Sequence, residues 1–370
     1  MILNGDDILP DARGISKVVS VMQRKILALD KVQNLLNDPE VEFDVAILEW
    51  LYGDYIAGYL LPQEENDYQR YVAPLVAKKR NIVLSYKDLC YNASLVLGNS
   101  HISIGKSIQL PGTYKAVGGF HVKKEREPLT KDLKTLMDNS KNGVIYFSMG
   151  SILKSKDFPD EIVLGILKVL SELEQTVLWK FETDLVNTES NVHFISWAPQ
   201  QSILAHPNCV LFISHGGLLS ALEAVHFGVP FIGIPVFADQ IANVKTMARK
   251  GMAKEVKLSY NVASDLKAAI KEVLGNSSYI QAAKHQSFVY HHRPVSPGAE
   301  LVHWVEHVIQ SRGASHLRSI SLMVPWYQRC HLDVAIVAVI LIVLLIKMMK
   351  LILWTMRSIK IKSNKIKKLH

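Results

Sequence analysis

From Lys141 to Gly275 short apolar runs alternate with amphipathic stretches, and this alternation most limits the folds open to the chain. "GVIYFSMGS", "TVLWKF", "VHFISW", "CVLFIS", "PFIGIP" and "MAKEVK" read as strands. Several are apolar at successive positions, as a strand covered on both faces must be. Between them, "PDEIVLGILKVLSEL", "QQSILAH", "LLSALEAVHFG", "DQIANVKTMARKG" and "VASDLKAAIKEVLG" carry helical spacing, and Gly251 is placed as a C-terminal stop. The pattern predicts an α/β fold with a doubly wound parallel sheet. Such sheets take ligands at the carboxyl ends of their strands, often against a helix N-terminus. The residues just after each strand are therefore the candidates for chemistry.

Before residue 120 the pattern is less regular. "FDVAILEW" and "SLVLGN" read as strands, separated by the polar stretch "LLPQEENDYQRYVAPLVAKKR". Two strands do not make a doubly wound domain. A chain of 370 residues has room for about two domains.

Three strand-end loops stand out. In "FISHGGLLSALEA", His215 follows an apolar strand, and Gly216 and Gly217 let the backbone approach a ligand with no Cβ between them. The helix starting near Leu218 directs its free amides to that place, which suits phosphate. Ser220 lies in the first turn of that helix, and Glu223 sits at a position that looks buried. Upstream, "WAPQQSILAHP" offers the indole of Trp197; downstream, "GVPFIGIPVFADQIAN" places Asp239 and Gln240 after another strand. A tight turn capped by a histidine explains the first loop alone. The three loops together supply an aromatic plane, a phosphate cradle and a paired acid and amide, enough to hold a base, a diphosphate and a sugar.

These stretches, W-x-P-Q-x3-L-x-H-P, F-x-x-H-G-G-x-x-S-x-x-E-A and G-V-P followed by D-Q-x-x-N, resemble the signature of the UDP-glycosyltransferases. The resemblance runs from about Phe43 to the tail, and "YNASLVLGNS" and "LPGTYKAVGGFHV" are similar to insect members of the membrane-bound animal branch. It implies a GT-B fold, with two Rossmann-like domains facing a cleft, the first incomplete here, and one C-terminal transmembrane helix. The expected division is a truncated acceptor-side domain and linker over 1–120, a UDP-sugar domain over 121–330, a transmembrane helix over 332–353 and a basic tail over 354–370. Carried over, Trp197 stacks on uracil and the Ala198 backbone pairs with its edge. Gln200 and Glu223 hold the ribose hydroxyls. His215, Gly217 and Ser220 contact the diphosphate, with Ser151 beside them, and Asp239 and Gln240 bind the sugar. Core packing is the alternative for Trp197, and a helix-face acid that for Glu223. His206 reads as structural and His226 as an ordinary helix residue. The implied reaction transfers a glycosyl group, with glucose favoured, from a UDP-sugar to a hydroxyl of a small lipophilic acceptor, with inversion and with neither metal nor cofactor.

Two features depart from the family pattern. Its general base is a histidine just after the first strand, whereas no histidine here precedes His101. His101 and His121 match the region near the interdomain linker instead. The base's acidic partner falls at Glu49, with Asp54 as the alternative. The chain also passes from "IAGYL" directly to "LPQEENDYQR", where family members carry a long segment. The rival expectation is a non-catalytic protein that binds UDP-sugar and pairs with full-length relatives.

Net charge is +8, but residues 347–370 hold eight Lys/Arg and no Asp/Glu, and the rest is neutral. No basic groove for nucleic acid is implied. Cys90, Cys209 and Cys330 are too few and scattered for a disulfide framework or a zinc site. "VAIVAVILIVLLI", Val334 to Ile346, has no polar side chain and, with "KMMKLILW", is long enough to span a bilayer. The basic residues after it suit a cytoplasmic tail, and "KKLH" resembles an endoplasmic-reticulum retrieval signal. "MILNGDDILPDARG" has no signal-peptide pattern, which leaves a lumenal or a cytosolic body open. Asn92 and Asn276 begin N-x-S sequons that fit a lumenal body.

Overall fold

The structure, a computed structural model, describes residues 25, 29–37, 65–66, 68–74, 85–86, 93–105, 110–151, 158–182, 191–237, 239–318 and 324–366. "FDVAILEW" with Glu49, Asp54, Cys90, Asn92 and the "KKLH" tail lie outside the described residues. The chain divides into two compact units: residues up to Leu110 with Tyr114–Ala314, and Pro111–Thr113 with Ser315 onward.

In the first unit, a short helix α1 (Asp30–Asn37) and a π-helical turn (Tyr68–Val72) precede a parallel pair, β1 (Val96–Gly98) and β2 (Tyr114–Ala116). Helix α2 (Lys131–Asn139) starts at Thr130, whose Oγ1 accepts the Leu133 N–H. The sheet and its helices then follow as β3 (Val144–Ser148), α3 (Asp160–Ser171), β4 (Thr176–Lys180), β5 (Val192–Ile195), α4 (Gln200–Leu204), β6 (Cys209–Ser214), α5 (Leu218–Phe227), β7 (Phe231–Gly233), α6 (Gln240–Arg249), β8 (Ala253–Glu255) and α7 (Val262–Gly275). Helices α8 (Ser277–His291) and α9 (Pro297–Gln310) complete the unit.

The six strands are all parallel, in the spatial order β5-β4-β3-β6-β7-β8. This is the doubly wound order, and the winding reverses between β3 and β6. Side chains alternate across it: Ile145 and Phe147 of β3 enter one core, Val144 and Tyr146 the other. Helices α3 and α7 cover the first face with Ile162, Ile166, Leu170, Val262, Leu266 and Ile270. Helices α4, α5, α6 and α8 cover the second, so "GVIYFSMGS" reads as continuously apolar because neither face meets water. Trp179 is fully buried, its ring centroid 4.9 Å from Phe147 and 5.5 Å from Phe194. Truncating such a ring to alanine costs about 3–5 kcal/mol. Helix α6 is closed by Lys250 as its C-cap, and Gly251 follows with φ 76°, the expected stop.

The second unit contains a turn of helix, α10 (Trp326–Arg329), and one continuous helix, α11 (Leu332–Ile366). Leu332–Arg357 is long and apolar enough to cross a membrane by length and composition, and its side chains are exposed throughout. Asp333 opens the helix, and Lys347 and Lys350 are its first cations.

Candidate functional site at the sheet switch point

The loops after β3 and β6 meet where the winding reverses. His215 follows β6, and its ring lies between two glycines. A Cβ on Gly150, in the loop after β3, would fall 2.6 Å from His215 Cε1, and one on Gly217 would fall 2.6 Å from Nε2. Gly216 has φ 84°, and a Cβ there would meet Val244 at 2.4 Å. Beyond the expected approach to a ligand, this glycine pair makes room for the protein's own histidine and valine. Ser214 Oγ lies 3.2 Å from His215 Nδ1. Burial and the nearby Lys180 cation hold His215 below its ordinary pKa, against an opposing pull from Asp239. The ring is therefore neutral at neutral pH and carries one N–H. Gly217 is the N-cap of α5, with no side chain capping the helix, so the amides of the first turn point toward the crevice uncapped.

Ser151 is exposed in the turn directly after Gly150. Trp197 is 71% exposed, which discards the core-packing alternative and presents the indole face at the end of β5. Ala198 is buried, and its carbonyl accepts the Gln200 N–H at 2.8 Å.

Glu223 is only 6% exposed, one turn below Ser220 on α5. Gln200 Nε2 donates to Glu223 Oε2 at 2.5 Å and to Ser220 Oγ at 3.3 Å. Gln201 Nε2 donates to Glu223 Oε1 at 2.9 Å. Burial raises the carboxyl's pKa, but the His121 imidazole and the two amides outweigh it, so the net shift is downward and the group is ionised. A buried carboxylate wrapped by side chains from other elements is not a solvated helix-face acid.

Asp239 is exposed at the start of α6, where its Oδ2 accepts from Asn243 Nδ2 at 2.7 Å. Asn243 Nδ2 also donates to the Gly216 carbonyl at 3.1 Å, tying α6 to the phosphate-type loop. Gln240 is buried, and its Oε1 accepts the N–H groups of Val236 and Phe237 at 2.8 and 3.0 Å. Its oxygen braces the loop after β7, leaving the amide nitrogen as the group still able to meet a ligand.

Four residues without a role in the sequence reading belong to this arrangement. Lys180 ends β4, is 8% exposed, and donates from Nζ to the Gly150 carbonyl at 2.7 Å. The same ammonium lies 3.4 Å from Glu182 Oε1 and 5.6 Å from the centre of the Trp197 ring. A lysine closing the otherwise apolar run "TVLW" is the signal that could have found it. Asn243 stands in D-Q-x-x-N, and Gln201 beside Gln200. His121 reaches Glu223 from the segment after β2, with Nε2 3.5 Å from Oε1.

Other histidines are structural. His206 bonds Asp138 at 3.0 Å. His226 lies on α5, half-buried: its ring packs against His291 at 4.3 Å and Tyr290 at 5.8 Å, and burial lowers its pKa to about 4. His101, packed edge-on to Tyr290, is lowered to about 4 by burial and by Arg293. Asn276 is exposed, and its side chain caps α8 by accepting the Ser278 N–H at 3.0 Å. Among the described residues, no group of three His, Cys, Asp or Glu is placed to hold a metal ion.

Known proteins fit this arrangement. The glycotransferase of kitacinnamycin superposes with a TM-score of 0.54 at 16% identity, covering 70% of this chain and 68% of that one. The spinosyn forosaminyltransferase SpnP gives 0.53 at 17% identity, covering 69% and 66%. The fold is that of the GT-B glycosyltransferases. UDP-glucosyltransferase 2 of Dactylopius coccus is 38% identical over 247 residues, 67% of this chain and 48% of the relative. UDP-glucuronosyltransferase 2A2 of Homo sapiens is 37% identical over 223 residues, 60% and 41% respectively. The chain spans about half the length of the curated relatives it matches. With a family profile matching residues 72–366 as well, the chain belongs to the family of UDP-glucoronosyl and UDP-glucosyl transferases.

Proposed function

We propose that this chain binds a UDP-sugar at the β3/β6 switch point and takes part in transfer of its glycosyl group, glucose in the favoured reading, to a hydroxyl of a small lipophilic acceptor. The observation that carries the reading is the Gln200–Glu223–Ser220 cluster, set between an exposed indole and an uncapped helix start. Trp197 stacks on the uracil and the Ala198 backbone meets its edge. Gln200 spends its amide hydrogens on Glu223 and Ser220, so it offers the ribose its Oε1. Glu223 is likewise an acceptor, and the diol enters as a hydrogen-bond donor to both. The His215 N–H, the Ser220 hydroxyl, Ser151 and the α5 amides face the diphosphate. Asp239 and the Gln240 amide take the sugar hydroxyls. In the inverting step an acceptor oxygen attacks the anomeric carbon, and the bond to the UDP oxygen breaks with its electron pair leaving on the diphosphate. The first-turn amides and neighbouring side chains meet that charge without a metal or cofactor in the proposed mechanism.

A second reading rests on the histidines. Among the described histidines, His215 is assigned to the diphosphate, His121 faces Glu223, and His101 and His226 pack against Tyr290. A UDP-sugar-binding partner of longer relatives, homo- or hetero-oligomeric, is the competing function. The long apolar α11 supports a single membrane crossing, and an endoplasmic-reticulum location with the basic tail in the cytoplasm is part of the same proposal. Microsomes bearing the full chain, given UDP-glucose or UDP-glucuronic acid and a phenolic acceptor, test both readings when turnover and UDP affinity are measured together. Turnover with UDP-glucose supports transfer, UDP binding without turnover supports the partner reading, and failure to bind UDP rejects both.

A further inference from the structure

The segment that joins β2 to α2 crosses the nucleotide side of the site, and both of its ends are tied down. Val117 N–H donates to the Gly98 carbonyl at 2.9 Å and Gly118 N–H to the Ser100 carbonyl at 2.8 Å. The Tyr290 hydroxyl donates to the Gly118 carbonyl at 3.0 Å. Gly119, with φ 92°, passes so close that a Cβ would fall 1.5 Å from that hydroxyl. Beyond it, Gln201 grips the strap twice: its Nε2 donates to the His121 carbonyl at 3.3 Å, and its Oε1 accepts the Lys123 N–H at 3.0 Å.

Held this way, His121 is the residue whose placement the anchors explain least by themselves. Its side chain is 15% exposed, and neither ring nitrogen has a hydrogen-bond partner within the described residues. Buried polar atoms are nearly always satisfied, so an unsatisfied ring aimed at a carboxylate needs a reason. Nε2 stands 3.5 Å from Glu223 Oε1, a few tenths of an ångström beyond hydrogen-bond distance. A carboxylate has about four acceptor positions. Gln200 and Gln201 occupy two at Glu223, and an imidazole N–H closing on Oε1 occupies a third, which leaves one directed to the crevice.

We propose that His121 is a positioning residue of the nucleotide site: its N–H closes on Glu223 when ligand is bound and fixes the remaining carboxylate acceptor on the ribose. The proposal rests on the reading that Glu223 holds the ribose diol. It also makes the strap part of the nucleotide site, since the same Gln201 that braces Glu223 carries residues 121–123.

The test compares affinities of the full chain for UDP and for 2′,3′-dideoxy-UDP by calorimetry. The wild-type chain is expected to prefer UDP at least tenfold, and Glu223→Ala to abolish the preference. His121→Ala should weaken UDP three- to tenfold while leaving dideoxy-UDP within twofold. His121→Phe, which keeps the ring volume beside Phe120 but has no N–H, should behave like the alanine variant. His121→Gln, which restores a donor, should recover most of the preference. A His121→Phe chain that retains the wild-type preference overturns the proposal alone, as does equal weakening of both ligands. Absence of a preference in the wild-type chain, or its survival in Glu223→Ala, overturns the ribose reading and the proposal with it.

Discussion

Gly217→Ala isolates the position of His215 from the stability of the fold. Gly217 has φ −58° and ψ 147°, a conformation that any L-residue adopts, so the substitution adds no backbone strain. What it adds is a methyl group 2.6 Å from His215 Nε2 and 3.0 Å from Cε1. Ordinary contact begins near 3.4 Å, so the ring must retreat by roughly 0.8 Å. It cannot retreat toward β3, because the Gly150 backbone already stands close on that side. If His215 donates to the diphosphate, the displacement removes a hydrogen bond to a charged acceptor, worth about 1.5–3 kcal/mol. That corresponds to a roughly ten- to 150-fold rise in the Kd for UDP.

The cost to the fold is smaller. Alanine is a poorer N-cap than glycine by about 0.5–1 kcal/mol, which lowers Tm by roughly 1–4 °C in a unit of this size. Calorimetric titration of UDP into the full chain, beside its thermal unfolding, separates the two effects. The decisive comparison is the cycle with His215→Ala. If the methyl acts by moving the ring, Gly217→Ala adds nothing to a chain already lacking the imidazole. An unchanged Kd in both Gly217→Ala and His215→Ala refutes the assignment of His215 to the diphosphate, whereas an equal loss from the methyl in both backgrounds traces its effect to Gly217's own place there.

Trp197→Ala should weaken UDP by the value of one base–aromatic stack, about 1–3 kcal/mol, with Tm nearly unmoved because the ring is exposed; unchanged affinity rejects the stacking role. Acidification should destabilise the fold. His101 and His226 hold their pKa near 4 against an ordinary 6.5, so between those values the unfolded chain binds more protons and stability drops as pH falls. Glu223, depressed below its ordinary 4.5, adds a further loss as pH passes down through its folded value. A Tm that is flat from pH 7.5 to 4.5 contradicts the histidine statement, and one that is flat below pH 4.5 contradicts the statement on Glu223. If α11 spans a bilayer, the full chain stays with membranes through alkaline carbonate extraction, and a chain ending at His331 is released; release of both rejects the anchor.

The sheet is legible in the sequence because its strands are covered on both faces. Continuous apolarity from Val144 to Ser148 and from Cys209 to Ser214, broken at once by glycine, serine or histidine, marks strand and strand end together. The helix over Val262–Gly275 and the stop at Gly251 are equally plain, each being set by local spacing. Strand β2 is not legible: three half-buried residues, Tyr114–Ala116, have no periodicity long enough to read. In the site, residues within a motif are visible, whereas those joined across the chain are not. Nothing near position 121 or 180 in sequence announces Glu223 or Gly150, because these pairings are made by the sheet order, with β4 beside β3 and the strap laid across α5.

That order also bears on what the site can accelerate. Under the proposed reading, the ligand-facing groups at the described strand ends meet the nucleotide, the diphosphate or the sugar, and each carboxylate there has at least one protein partner. Glu182 pairs with Lys180, Asp239 accepts from Asn243, and Glu223 is wrapped by two glutamine amides and faced by His121. The donors there, the His215 N–H, the Ser220 hydroxyl and the first-turn amides of α5, suit the charge on a departing UDP, whereas a base needs an acceptor position free and aimed at the incoming hydroxyl. On that reading the described crevice is organised around the leaving group. The affinity of this site for UDP and its turnover are therefore separable quantities, and substitutions at Trp197, Glu223 and His215 should move the first whether or not the second is present.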